Sequence, residues 1–171
     1  VRYAQGNKGK SGGIRVIYYW VTEDDQIFFL VAYPKSVKDN LTDKETAILV
    51  DTSPDCRLQL LKAKVDRLDA VIWTHDHADH THGIDDIRSI SYVTNAALPG
   101  YADAATLGAL RSRFGYVFTE EGRALRPYVP NILPREIPPV LTIGSIRVSC
   151  FTQLHGAGRE PTLGLRFGNF A

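Results

Sequence analysis

Thr74-His75-Asp76-His77-Ala78-Asp79-His80-Thr81-His82-Gly83 is the stretch that decides how this chain is read. Four of the five histidines fall between positions 75 and 82, and the fifth, His155, stands far downstream. The run follows Asp69-Ala70-Val71-Ile72-Trp73, an apolar segment of strand length. Imidazoles and carboxylates this dense behind a buried strand have few structural uses, and they suit Zn, with Mn or Fe as other occupants. A His-rich polar surface loop is the alternative reading.

Working upstream, Ala47-Ile48-Leu49-Val50 reads as a short buried strand ending in Asp51. Ser53 is placed to cap a helix, with Pro54 at its first position and Asp55 complementing its dipole. The helix is expected to run through Leu58, Leu61 and Val65 to the strand at 69–73. A strand–helix–strand unit of this kind is a right-handed crossover between parallel strands. It brings Asp51 and His75 to the C-terminal edge of the sheet, where open α/β sheets place their sites.

Downstream, Thr81 to Ile90 reads as one helix. Asp103 should cap another, with Leu107, Leu110 and Phe114 on one face, Arg111 and Arg113 in the last turn and Gly115 as the stop. Five prolines between 126 and 139 suggest an irregular excursion. Ile146–Gln153 and Thr162–Phe170 read as strands with His155 between them.

The chain's opening has a different texture. Residues 1–15 carry Arg2, Lys8, Lys10 and Arg15 among glycines and no acid, which reads as a flexible basic segment. Ile14–Val21 and Ile27–Tyr33 are β-branched and aromatic and flank a polar hairpin loop, and Lys35–Thr46 reads as helix or loop. An apolar content of 44% with 23% charge is that of a globular protein, and a net charge of +1 gives no global attraction to nucleic acid or anionic lipid. No apolar run reaches membrane-span length, and Cys56 and Cys150 form no CxxC, so reduced thiols and a cytoplasmic setting are expected. The chain lacks methionine, begins at Val1 and stops at Asn169-Phe170-Ala171 in what reads as mid-strand, so a fragment or fusion is expected.

His75 and His77, two apart in a loop, can share one metal, and Asp79 and His80 can reach a second. His155 would complete a site of three imidazoles with one position open, the pattern of a catalytic zinc. Water on such a metal loses its proton near neutral pH and becomes the nucleophile, and Asp79 could hold or accept that proton.

His75-x-His77-x-Asp79-His80, preceded by Leu49-Val50-Asp51 and followed by Gln153-x-His155-Gly156, resembles the metallo-β-lactamase superfamily of metallohydrolases. The longer run 74–88 is similar to its phosphodiesterase branch of the PhnP kind. The resemblance covers about residues 47–171. It implies that His75, His77 and His155 bind one metal and Asp79 and His80 a second, with Asp51 orienting a ligand from behind. His82 and Asp76 match no ligand position. The implied fold is α/β, the first half of an αββα sandwich, with the N-terminal β-hairpin added to the sheet. A bridging aspartate and a last histidine of the family have no counterpart here, since Glu160 is the sole acid after His155 and precedes the final strand. One Zn per chain and weakened catalysis are therefore expected, along with a possible homodimer through the exposed half-sandwich face.

Gly9-Lys10-Ser11-Gly12-Gly13-x-Arg15-Val16-Ile17-Tyr18-Tyr19, with Ala32-Tyr33-Pro34-Lys35-Ser36, resembles instead the RelE/HigB toxins, ribosome-dependent mRNA endonucleases. That resemblance implies RNA contacts by Lys8, Lys10, Arg15 and Lys35. A solvated cationic face on a hairpin is the plainer reading of the same four residues. The expected organisation is thus a toxin-like segment at 1–45 and a half domain at 46–171. The leading expectation is hydrolysis of a phosphodiester, a cyclic phosphate or nucleotide, by metal-bound hydroxide. The rivals are an RNA-cleaving toxin fragment and an inactive chimera that only binds metal.

Overall fold

A strand covered on both faces needs an unbroken apolar run. Ile48–Val50 (β4) and Ala70–Ile72 (β5) are such strands, buried at every position. They pair in parallel, Ile48 with Ala70 and Val50 with Ile72, across the crossover helix Cys56–Ala63 (α1). This computed structural model describes the backbone at 2–3, 14–21, 26–34, 46–155 and 160–167, and the side chains at 46–155 and 160–167.

The remaining elements, in order, complete two sheets and a helical layer. Arg2–Tyr3 (β1), Ile14–Val21 (β2) and Gln26–Pro34 (β3) precede β4. After β5 come Ala78–Thr81 (α2), Arg88–Thr94 (α3), Leu98–Ala102 (β6), Ala104–Phe114 (α4) and Ile132–Glu136 (β7). Val140–Ile143 (β8), Ile146–His155 (β9) and Glu160–Phe167 (β10) follow. One sheet runs β1-β2-β3-β4-β5-β6-β7 and the other β10-β9-β8. The first is antiparallel as far as β4 and parallel from β4 to β7; the second is antiparallel throughout.

Period-two alternation divides the core into two layers. Leu49, Val71 and Trp73 point to the helical side, where Cys56 and Leu60 of α1, Ile90 of α3 and Leu107 and Leu110 of α4 meet them. Ile48, Val50, Ala70 and Ile72 point the other way, onto Ile146, Val148, Leu163 and Phe167 of the second sheet. The order is therefore helices, sheet, sheet. Trp73 is wholly buried, and its ring leaves no room for a side chain at position 100, where a Cβ would lie 2.8 Å from it.

The hairpin forms β2 and β3 and is joined to the main sheet through Val31 opposite Leu49 and Ala32 opposite Ile48. The basic opening segment is not wholly irregular, because Arg2 and Tyr3 pair with Arg15 and Ile14. The expected hairpin loop at 22–25, the Lys35–Thr46 segment up to residue 45, and the end of the last strand beyond residue 167 lie outside the described residues, as do Lys8, Lys10, Lys35 and the side chain of Arg15.

Several local expectations are corrected. α1 begins two residues after Pro54, because the Ser53 hydroxyl donates to Gln59 Oε1 instead of capping, and Asp55 takes the cap position. Its buried face is Cys56 and Leu60, while Leu58 and Leu61 are exposed and Val65 lies beyond its end. The single helix expected at 81–90 is three short pieces: α2, a 3₁₀ turn at Ile84–Ile87, and α3. A 3₁₀ turn eclipses positions i and i+3, and here that sends both Ile84 and Ile87 into the core.

The proline-rich stretch holds β7, tolerated because β7 is an edge strand where Pro134 needs no second partner. β6 carries Pro99 one residue before its pairing with β5 begins, so no ladder bond is lost there. β9 extends to His155, which is its last residue rather than part of a connection. β8 joins β9 through a two-residue turn in which Gly144 has φ +53°. The Asp103 cap stands as read, its carboxylate accepting from Thr106 N–H at 2.7 Å.

Candidate metal centre

The two parallel strands deliver Asp51 and Thr74 side by side at their C-terminal ends. Asp51 leaves β4 with φ +56°, a left-handed turn that Asp tolerates better than most residues. Its N–H still donates to Ile72 O at 2.8 Å, and its carboxylate receives Thr74 N–H at 2.7 Å and the Thr74 hydroxyl at 2.9 Å. The following turn is tied to the histidine loop. Thr52 N–H donates to His80 O and Gly83 N–H to Thr52 O, while Trp73 Nε1–H donates to Thr52 Oγ1 at 3.0 Å. Gly83 is required, since a Cβ there would lie 2.0 Å from Ser53 O. On the opposite side Leu163 N–H donates to Thr74 O at 2.9 Å, which ties β10 to the same loop.

Onto this frame the histidines converge. His75, His77 and His155 each offer one ring nitrogen, all within 4.8 Å of one another. His75 Nε2 and His77 Nδ1 are 3.1 Å apart. Two nitrogens bound at about 2.05 Å to a tetrahedral ion would be separated by about 3.3 Å. The donor chemistry also fits a cation. A neutral imidazole keeps one ring nitrogen as a lone pair, and burial keeps His75 neutral. Three such rings converge here, with the Glu160 carboxylate 3.6 Å from His77 Nε2, a donor set that attracts a cation. These three residues therefore fit a divalent metal.

His80 stands beside the trio, its ring centroid 4.0 Å from that of His75. Its Nδ1 bonds to Asp51 Oδ2 at 2.8 Å, and its Nε2 lies 3.4 Å from Asp79 Oδ2. Asp79 and His80 thus bring a carboxylate oxygen and a ring nitrogen together beside the trio. Burial, and then the neighbouring His80, push the His75 imidazolium down to a pKa of about 4, against a weaker pull from Asp51. Burial also disfavours charge on His80, but the hydrogen bond and charge of Asp51, helped by Asp79, outweigh it and raise its pKa. His75 is buried, whereas His77, Asp79 and His155 are exposed, so the group opens to solvent on one side.

The other polar residues of the motif serve the frame. Asp76 is paired with Arg113 of α4, and His82 packs edge-on against Phe114 with centroids 5.7 Å apart. Asp85 accepts from the Tyr116 hydroxyl at 2.6 Å and Asp86 from Arg57 N–H at 3.3 Å, so both anchor neighbouring segments. Cys56 is buried in α1 and Cys150 lies half-buried on β9; both are free thiols, and burial pushes Cys56 up to about 12. Sequence reasoning overlooked two neighbours of the histidines. Thr74 could have been found from its place between strand and motif. Glu160 precedes the last strand in a sequence-based reading, yet it is the first residue of β10 and antiparallel pairing puts it opposite His155.

The sequence profile described as "Beta-lactamase superfamily domain" matches residues 46–171, most of the chain. The chain belongs to that family. Two solved structures share the architecture. A diphosphatase from the PhnP family superposes with a TM-score of 0.62 at 25% identity, over 82% of this chain and 49% of that one. The metallo-β-lactamase fold protein YhfI from Bacillus subtilis gives 0.58 at 18% identity, over 90% of this chain and 57% of the other. The α/β arrangement of one largely parallel and one antiparallel sheet is thus of the metallo-β-lactamase kind, and the chain spans about half the length of these two structures. A protein named octanoyltransferase in Porphyromonas gingivalis is 37% identical over 133 residues, 77% of this chain but 26% of that protein's length. A second profile, the RelE toxin of the RelE/RelB toxin–antitoxin system, matches residues 1–73. Residues 46–73 fall in both matches, and structurally they belong to the α/β core, since β4, α1 and β5 lie there. Among the described residues no helix is long and apolar enough to cross a membrane.

Proposed function

We propose that this chain carries the metal-binding part of a hydrolase for a phosphodiester, such as a cyclic phosphate or a nucleotide. The observation that carries the reading is the convergence of His75, His77 and His155, with Asp79 and His80 beside them, at the C-terminal ends of parallel strands. His75, His77 and His155 hold the first ion, and Asp79 and His80 take part in a second position that needs further ligands. A divalent ion there, zinc with manganese or iron as other occupants, would supply Lewis acidity and make a nucleophile available at neutral pH.

The chain's own residues do the rest. His75, held neutral by its burial, keeps a lone pair at physiological pH. Asp79, whose side chain is 59% exposed, would take the proton of an attacking water on the solvent side. Asp51 fixes His80 from behind. The likeness to a diphosphatase of the PhnP family supports a phosphoryl compound as the substrate class.

The test is metal analysis of the chain after equilibration with zinc, followed by hydrolysis of a chromogenic phosphodiester. About one zinc per chain is expected, lost in His75→Ala together with any hydrolysis. A chain that retains no zinc, or chelator-resistant cleavage unaffected by His75→Ala, would sink the reading.

A second reading rests on the RelE profile match at 1–73. In it Lys8, Lys10, Arg15 and Lys35 hold RNA phosphates, and expression arrests growth unless Arg15 is replaced by Ala. Unimpaired growth removes it.

A further inference from the structure

We infer that the Thr74 hydroxyl is a positioning group that sets the tautomer of His75 and links the two metal positions through Asp51. The inference rests on the assignment of His75 as a metal ligand proposed above. Three contacts carry it. The Thr74 hydroxyl lies 2.9 Å from Asp51 Oδ2 and 2.9 Å from His75 Nδ1, and Asp51 Oδ2 lies 2.8 Å from His80 Nδ1.

A hydroxyl has one proton to give, and a carboxylate only accepts. If Thr74 donated to His75, its oxygen lone pairs would face the carboxylate with no proton between them. Both contacts are satisfied only when Thr74 donates to Asp51 and His75 Nδ1–H donates to Thr74. The single proton of neutral His75 is then on Nδ1, and Nε2 is bare. It is Nε2 that faces His77 Nδ1 at 3.1 Å. The same carboxylate oxygen takes His80 Nδ1–H, so Nε2 is the nitrogen that His80 turns toward Asp79. One carboxylate therefore sets which nitrogen of each ring faces the metal positions, directly for His80 and through Thr74 for His75.

Thr74 also holds the carboxylate itself. Its N–H and its hydroxyl engage the two oxygens of Asp51 at 2.7 and 2.9 Å, so the plane of Asp51 is set by one residue. A β-branched side chain has few χ1 rotamers to choose from, which suits a hydroxyl that must meet two partners at once. Leu163 N–H on Thr74 O holds the backbone of the same residue from the second sheet.

The experiment has two arms on the whole chain. In the first, long-range proton–nitrogen spectra of the metal-free protein at neutral pH report each ring's tautomer. His75 is expected as Nδ1–H in the parent chain and in Thr74→Ser, and as Nε2–H or a mixture in Thr74→Val. An Nε2–H tautomer in the parent chain overturns the inference whether or not metal binds. In the second, zinc affinity is measured against a chromophoric chelator. Thr74→Val should weaken binding about 10–100-fold, the usual cost of losing such an outer partner, and Thr74→Ser should recover most of it. Unchanged affinity in Thr74→Val overturns the inference, while a parent chain with the expected tautomer and no zinc affinity overturns the metal assignment alone.

Discussion

Replacing Asp51 by Asn tests the frame behind the histidines with the least disturbance of shape. Asn has the same outline and tolerates the φ of +56° found at this position, so the backbone is not at issue. The amide oxygen can still accept Thr74 N–H, now at 2.7 Å from Asp51 Oδ1. The other oxygen becomes an NH₂ group that donates and cannot accept. It would face two hydrogens at once, from the Thr74 hydroxyl and from His80 Nδ1, where the carboxylate now accepts at 2.9 and 2.8 Å. Thr74 can rotate its proton away, but His80 must move its proton to Nε2, the nitrogen beside Asp79. Two charge-assisted bonds are lost, each worth about 1.5–3 kcal/mol in general. The Asp51 and His80 side chains are 15% and 19% exposed, so partial solvation reduces the sum, and a stability loss of about 2–4 kcal/mol is expected. Urea denaturation of the chelator-treated protein measures it. In parallel, zinc affinity should fall at least about tenfold. Denaturation within about 0.5 kcal/mol of the parent, together with unchanged zinc affinity, would show that Asp51 is an ordinary turn residue and refute the argument.

Two further outcomes follow from the same geometry. In the metal-free chain the His75 pKa is lowered from 6.5 to about 4, so the unfolded state binds the extra proton first. Stability from this group is full above about pH 6.5 and falls by about 3 kcal/mol as pH drops to about 4. His80, with a raised pKa, acts in the opposite sense: its contribution is present below the unfolded value and fades as pH rises through the folded one. Denaturation curves across pH 4–7, compared with those of His75→Asn, isolate the first effect; parallel profiles would contradict it. Gly83→Ala should destabilise by about 1–3 kcal/mol, because the new Cβ would lie 2.0 Å from Ser53 O and 2.8 Å from the Cys56 side chain. Gly108→Ala, in the interior of α4 with nothing within 4 Å, should stabilise by about 0.5–1 kcal/mol, and a reversal of the two signs in the denaturation midpoints would refute the packing argument.

What could be read from the sequence was whatever local chemistry enforces. The β4–α1–β5 crossover is written in two four- to five-residue apolar runs and a helix between them, and the parallel register follows. The Asp103 cap likewise needs only its own side chain and the next turn. β6 and β7 were not legible, because Leu98-Pro99-Gly100 and Leu133-Pro134 carry residues that weaken strands in isolation. Their place is decided by tertiary fit: position 100 must be Gly to admit the Trp73 ring, and β7 is an edge. The break in the helix expected at 81–90 is similar, since it depends on how closely Gly83 approaches Ser53, a contact 30 residues apart in the chain. Leu58 and Leu61 misled for the opposite reason: they look like a core stripe, but the helix turns Cys56 and Leu60 inward.

The site divides along the same line. Its ligand candidates are clustered in one short run except for His155, so residue type and spacing suffice to name them. The groups that aim them are legible only in three dimensions. Asp51 reaches His80 across 29 residues. Glu160 reaches His77 because β9 and β10 pair with His155 opposite Glu160, although His77 and Glu160 are 83 residues apart in the chain. Position along the chain puts Glu160 before the last strand and, on that ground alone, gives it no place beside the histidines. Antiparallel pairing reverses that conclusion, since the first residue of β10 and the last of β9 lie at the same end of the sheet. The short link from Leu163 N–H to Thr74 O then holds this end against the histidine loop. The second sheet thus contributes a ligand candidate at one strand end and an acid at the next. The candidate metal centre is a junction of both sheets, not a property of the histidine run alone.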